Sequence, residues 1–292
     1  MRLRLVSCAS GRPKRSPGGV LRLWHKAGHS PLPEVGDCGF GPYKNWESPW
    51  SNFGSRTMTA AEIIEQLKPL GTEQYKKVML NHGIKEPCFG VKIEDMKKIQ
   101  KQVKKDYQLA LDLYETGIYD AMYLAGLIAD NLKMTKKDLQ KWVSQAYCGM
   151  LWDYVVPWVA AESNHGRALA LEWIDSKKET VAAAGWSTLG SFVSIKPDAQ
   201  LDLVELKKLL DRVGKTIHQQ PNAVRGAMNG FVIALGSYVS SLSDPAILVG
   251  KAIGAVSVEL GTKACKVPFA PEYIEKAILR GTLKKKRKTT KC

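Results

Sequence analysis

The stretch Leu151-Trp152-Asp153-Tyr154-Val155-Val156-Pro157-Trp158 sets one carboxylate between two aromatic rings. A lone carboxylate in such surroundings can stabilise positive charge developing on a bound molecule, and it can orient a water. It can equally be a helix-start or loop carboxylate satisfied by backbone N–H groups. Glu162, four residues after Trp158 and beside Ser163, is a second candidate acid; a capping charge is the plainer explanation of it. Across residues 76–105, nine lysines (Lys92, Lys97 and Lys98 among them) face only Glu86, Glu94 and Asp95, a local charge of +6. That face could dock phosphate backbones, or it could be a solvated helix surface. Arg225 opens a helix after Pro221-Asn222 and fits a phosphate contact as well as an ordinary exposed arginine. The six cysteines make no C-x-x-C pair and the five histidines no metal spacing. The expectation is therefore free thiols in a reducing compartment, with no metal and no cofactor.

These groups must be carried by helices. From Thr59 to Arg280 apolar residues recur at i, i+3, i+4 and i+7, as in Lys136–Tyr147 and Leu203–Ile217. Gly83, Gly90, Gly117, Thr135 and Lys196-Pro197-Asp198 stand where helices should start or stop. The short connections favour antiparallel neighbours. Similar apolar patterns recur at roughly 30–45 residues, the period of HEAT-like solenoids. The predicted fold class is all-α, a solenoid of stacked helix pairs with a concave face. A four-helix bundle with a smaller helical domain is the alternative.

Two predicted second helices are rich in small residues: Val181 to Ser187, and Gly226 to Phe231. Small side chains let helices pack closely. They could also form a wall against which a ligand backbone lies, with Trp186 and Phe231 projecting. Trp142, Trp158 and Trp173 lie on apolar faces and are expected in the core.

The formal charge of +15 sits mostly in the termini. Residues 1–57 carry +6, residues 276–292 carry +8, and residues 58–275 only +1. A high pI alone therefore says nothing about the body's partners. Residues 1–57 hold eight Gly and six Pro without periodicity, and composition changes at Met58. That segment reads as a disordered leader, with the true start near Met58; an organelle transit peptide is the alternative. There Thr59 is a predicted N-cap for Ile63, Ile64 and Leu67. The helical domain is expected over 58–280 and a flexible basic tail over 281–292. Lys284-Lys285-Lys286-Arg287-Lys288 mimics a nuclear signal, but a disordered arm binding nucleic acid nonspecifically is simpler. No apolar run is long enough for a bilayer.

Three stretches resemble the DNA alkylation repair family of HEAT-like-repeat DNA glycosylases. Phe89-Gly90-Val91-Lys92 through Ile99 is similar to an early turn and helix whose N-terminus approaches phosphate; Lys92, Lys97 and Lys98 would reinforce it. Leu151 to Trp158 resembles the segment in which the family's catalytic aspartate precedes an apolar step and Val-Pro, which puts Asp153 on that position. The family's Trp one turn earlier is Gly149 here. Gly230-Phe231-Val232 matches a Gly-Trp pair lining the DNA groove, and Ala183 falls where the glycosylases carry a DNA-contacting arginine.

The resemblance implies duplex DNA, alkylated or not, as partner of a monomeric cytoplasmic protein at the nucleoid. N3- and N7-alkylated purines are cationic leaving groups, so a glycosylase needs only aromatics to cradle the nucleotide and an acid to stabilise the sugar cation. Asp153 would be the acid; Trp152, Tyr154, Trp186, Phe231 and Arg225 would line the site. Two other functions compete: binding of damaged or branched DNA without base excision, and a protein-interaction solenoid.

Overall fold

In the computed structural model, residues 58–259, 267–283 and 285–291 are described. Residues 1–57, expected to be a leader, lie outside them. Thirteen α-helices are found among the described residues, and the only β-type pairing among them is an isolated bridge between Gly71 and Val91.

The first helix, α1 (Ala60–Leu67), begins where Thr59 accepts from the Glu62 N–H while the Glu62 carboxylate accepts from the Thr59 N–H. This capping box satisfies two donors that a helix start leaves orphaned. Next come α2 (Glu73–Asn81) and α3 (Ile93–Val103). Five antiparallel pairs follow: α4 (Tyr107–Glu115) with α5 (Tyr119–Ile128), α6 (Lys136–Gln145) with α7 (Val156–Glu162), α8 (Gly166–Trp173) with α9 (Glu179–Ile195), α10 (Leu203–Thr216) with α11 (Asn222–Tyr238), and α12 (Ser243–Ile253) with α13 (Ala270–Leu279). Second members pack on second members: α7 on α9, α9 on α11, and α11 on α13. They form an inner layer, and α6, α8, α10 and α12 form the outer one. This is the HEAT-like solenoid expected, not a bundle.

Polar contacts between pairs repeat with the predicted period. Tyr107 donates to Asp138, Asn131 to Glu162, Gln140 to Glu172 and Ser187 to Asp153, at separations of 31, 31, 32 and 34 residues. These bonds link the three pairs from α4/α5 to α8/α9 at nearly constant separation. The apolar contribution is larger. Trp142, Trp158 and Trp173 are buried as expected, and Trp142 stacks on Tyr114 at 4.0 Å. The helix α5 is buried over its whole length and apolar except at Asp120.

Glycines set the closest approaches. A Cβ on Gly185 of α9 would lie 2.7 Å from the Ile174 amide nitrogen and 3.0 Å from the Ala170 oxygen of α8. A Cβ on Gly126 of α5 would lie 2.6 Å from a Val155 methyl.

The C-terminal segment departs from expectation. Residues 285–291 are docked, not flexible. The Arg287 N–H donates to the Ser194 carbonyl and the Lys286 amine to the Val193 carbonyl, and the same amine forms an ion pair with Asp198 at 2.7 Å. The Thr290 hydroxyl donates to the Trp158 carbonyl, and the Lys291 amine to the carbonyls of Leu127 and Ala129. The segment therefore straps the C-terminal ends of α9, α7 and α5 in turn. The physical reason is electrostatic: helix C-termini carry orphan carbonyls and negative dipole ends, and a basic chain satisfies both.

Two glycines should respond oppositely to substitution. Gly185→Ala should cost about 1–3 kcal/mol through overpacking. Gly230→Ala, where nothing lies within 4 Å of the new Cβ, should gain roughly 0.5–1 kcal/mol from helix propensity. Thermal denaturation of the two variants checks this; equal shifts would refute the close packing of α8 on α9.

Candidate functional site

The site is built on a backbone irregularity. Residues Leu151–Val155 form a π-helical turn, in which the Val156 N–H donates to the Leu151 carbonyl five residues back. Two residues later Pro157 has no N–H to give to the Asp153 carbonyl, and its ring would crowd that carbonyl in a regular helix. Widening the turn relieves the conflict before α7 begins. The Val155 side chain fits against Gly126, which fixes the turn on α5.

Asp153 is half-buried on this turn. Its Oδ1 accepts a hydrogen bond of 3.1 Å from the Ser187 hydroxyl on α9. Burial pushes the carboxyl well up, to about 7, while the hydrogen bond from Ser187 and the nearby Trp152 side chain pull the other way. The Trp152 indole N–H lies close to the carboxyl but makes no hydrogen bond of proper geometry. The side of Asp153 toward Gly149 is open, since a Cβ there would stand 3.8 Å from Oδ2. At neutral pH the carboxyl is poised between its two protonation states, with a hydroxyl fixed against it.

Asp153, Trp152 and Tyr154 thus come together with Ser187. Sequence reasoning passed over Ser187 as a site residue; it is one of several hydroxyls on α9, and nothing in the sequence sets it apart from Thr188 or Ser191. Tyr154 is 43% exposed and meets Trp158 edge-on at 6.1 Å. Trp152 is half-buried and packs against both of the molecule's apolar clusters, at their seam.

Other expectations are corrected. Trp186 and Phe231 do not project: both are wholly buried and meet at 5.3 Å, with the Arg212 guanidinium 5.6 Å from the Trp186 ring. On α11 it is Gly230 that faces outward, and a step of about 100° carries Phe231 inward. Ala183 is also fully buried. Its methyl sits in the same apolar cluster as Trp186 and Phe231. Glu162 is not a free acid. It accepts from Asn131, Thr289 and Thr290, and although burial raises it, these bonds and the Lys291 charge hold the carboxyl below its usual range.

Lys92, Lys97 and Lys98 lie at the start of α3, apart from Asp153 in the stack. Lys92 is the N-cap and pairs loosely with Glu94, and Lys98 pairs with Asp95 at 2.7 Å. The N–H groups of Phe89 and Val91, in the turn just before α3, are taken by the buried Asp120 carboxylate at 2.6 and 2.8 Å. Arg225 is partly buried and folds back onto Asn222 at 3.3 Å. Among the described residues no group of three or more His, Cys, Asp or Glu could hold a metal, and no helix is long and apolar enough to cross a membrane.

A two-layer helical solenoid with an aspartate on a π-turn before Val-Pro defines a class of helical-repeat proteins. The profile described as "DNA alkylation repair enzyme" matches residues 63–255, and the chain belongs to that family. It is similar to uncharacterized proteins of Listeria innocua (31% identical) and Listeria monocytogenes (30% identical), each over 225 residues that cover 75% of this chain and 97% of the relative. A solved structure of a new family of proteins related to the HEAT-like repeat DNA glycosylases, with affinity for branched DNA structures, superposes with a TM-score of 0.75. It is 36% identical in sequence, and the match covers 80% of this chain and all of that one.

The raised Asp153 pKa has a consequence for stability. In the unfolded chain the carboxyl ionises near 4, and in the folded protein near 7. Folding therefore favours the protonated form: this group's contribution is full below about pH 4, falls as pH rises to about 7, and is flat above. Asp153→Asn should gain stability at pH 8, on the order of 2 kcal/mol, discounted because the residue keeps some solvent contact. The gain should vanish at pH 4. Melting curves at the two pH values decide it, and an equal effect at both would sink the assignment.

Proposed function

We propose that this protein binds DNA, with preference for branched structures, and does not excise bases. The observation that carries the choice is the fate of the aromatics. An alkylpurine glycosylase needs a cradle of exposed rings around the lesion nucleotide. Of Trp152, Tyr154, Trp186 and Phe231, only Tyr154 is exposed. The absence of a side chain at Gly149 leaves one wall of the Asp153 site unbuilt, and a carboxyl pushed up to about 7 is only partly ionised at neutral pH. The full-length match to a relative with affinity for branched DNA supports the same reading. A monomer in the cytoplasm, at the nucleoid, fits such a partner.

A second reading is base excision on N3- or N7-alkylated purines. Its support is Asp153 itself, partly exposed, held by Ser187 and placed by the π-turn.

Competition binding at about 50 mM salt separates these, with a four-way junction and a linear duplex of matched length. The junction should bind at least several-fold more tightly. Equal affinity would remove the preference for branches, and no binding to either would remove DNA as the partner. In parallel, no release of 7-methylguanine or 3-methyladenine is expected. Release that disappears in Asp153→Asn and rises with pH through about 7 would establish the glycosylase instead.

A further inference from the structure

The strap formed by residues 285–291 has two kinds of side chain. Lys286 and Lys291 are partly buried and Thr290 is buried, and these three hold the chain to the ends of α9, α7 and α5. Burial pushes the Lys291 amine down to about 8 against the pull of Glu162, which marks it as an interior anchor. Lys285, Arg287 and Lys288 are exposed. The Arg287 guanidinium also donates to the Thr290 carbonyl, which steadies it in place.

We propose that the strap is an ordered phosphate-binding edge of the inner layer, in which Lys285, Arg287 and Lys288 contact one backbone of a DNA arm. The inference rests on the DNA reading above and adds where the positive charge for it comes from. Residues 58–275 carry only +1 in net charge, and their local +6 over residues 76–105 lies around α2 and α3, apart from Asp153. The strap adds three outward cations over four residues, at most about 10 Å of chain, so that they can face neighbouring phosphates along one strand. Its position also fits. From Asp153 to Glu162, where the strap crosses α7, is nine residues of helix, or about 13 Å. That is close to the roughly 12 Å width of a major groove, so a duplex with one groove over Asp153 has a backbone within reach of the strap. Because hydrogen bonds already hold the chain, its ordering cost is met on folding and not on binding.

The test uses the full chain and a fluorescent four-way junction, with Kd measured across a salt series. The variant Lys285→Ala/Arg287→Ala/Lys288→Ala spares the inward anchors. It should bind about tenfold or more weakly near 50 mM salt, and the slope of log K against log salt should fall by about 2–3, with Tm unchanged. A control of equal charge, Lys207→Ala/Lys208→Ala/Lys215→Ala on outer-layer α10, should bind nearly as the natural protein does. Thr290→Val, which frees the strap without removing a cation, should lower Tm and weaken binding by a smaller factor. Three outcomes overturn the proposal. If the natural protein binds and the strap variant matches it in Kd and slope, the strap is no interface, while DNA binding stands. If the control loses as much as the strap variant, net charge and not position is responsible. If the natural protein binds no DNA, this inference falls together with the reading it rests on.

Discussion

The missing N–H of Pro157 is the constraint on which the site depends. It denies the Asp153 carbonyl its ordinary helical partner, and the chain answers with a π-turn from Leu151 to Val155. That turn sends three of its five side chains to different duties. Trp152 goes to the seam between the two apolar clusters, Asp153 to Ser187 on the next repeat, and Val155 to the notch at Gly126. A regular helix would present them about 100° apart and in a different register. The same irregularity that distorts the backbone therefore anchors the turn at three points, one of them the carboxyl itself.

Beyond the turn, the stack is held by two complementary devices. Small residues bring helices together where the layers touch, as at Gly185 and Gly190. Single polar bonds, spaced at the repeat length, then set the register between pairs that apolar packing alone would leave free to slide. The carbonyl ends of α5, α7 and α9 are the remaining polar liability of the inner layer, and the basic strap meets it. Glu162 joins the two systems, since it accepts both from Asn131 of the preceding pair and from the strap.

Much of this was legible in the residues, and the failures have a common cause. The capping box at Thr59, the three core tryptophans and the repeat length follow from local pattern, and Val-Pro pointed to Asp153. Facing was lost wherever a helix is apolar or small all round. In α9 ten residues from Ala182 to Ser194 are buried, so nothing in their types distinguishes an inward Ala183 or Trp186 from a groove-facing one. The same ambiguity turned Phe231 outward. The strap was misjudged for another reason: a run of lysines has no local partner, and its acceptors lie 93 to 164 residues away in sequence. Composition describes such a segment as disordered because it cannot show what lies opposite.

Those separations carry a consequence for biogenesis. The strap emerges from the ribosome after every helix it holds, and its acceptors belong to helices made long before. Pairs of helices can stack locally as they emerge, through contacts of short range. The inner layer is clasped only once residues 285–291 have emerged, so a chain that stops short of them would carry the same helices with open carbonyl ends. Emergence of this segment is thus the step that completes the edge of the inner layer.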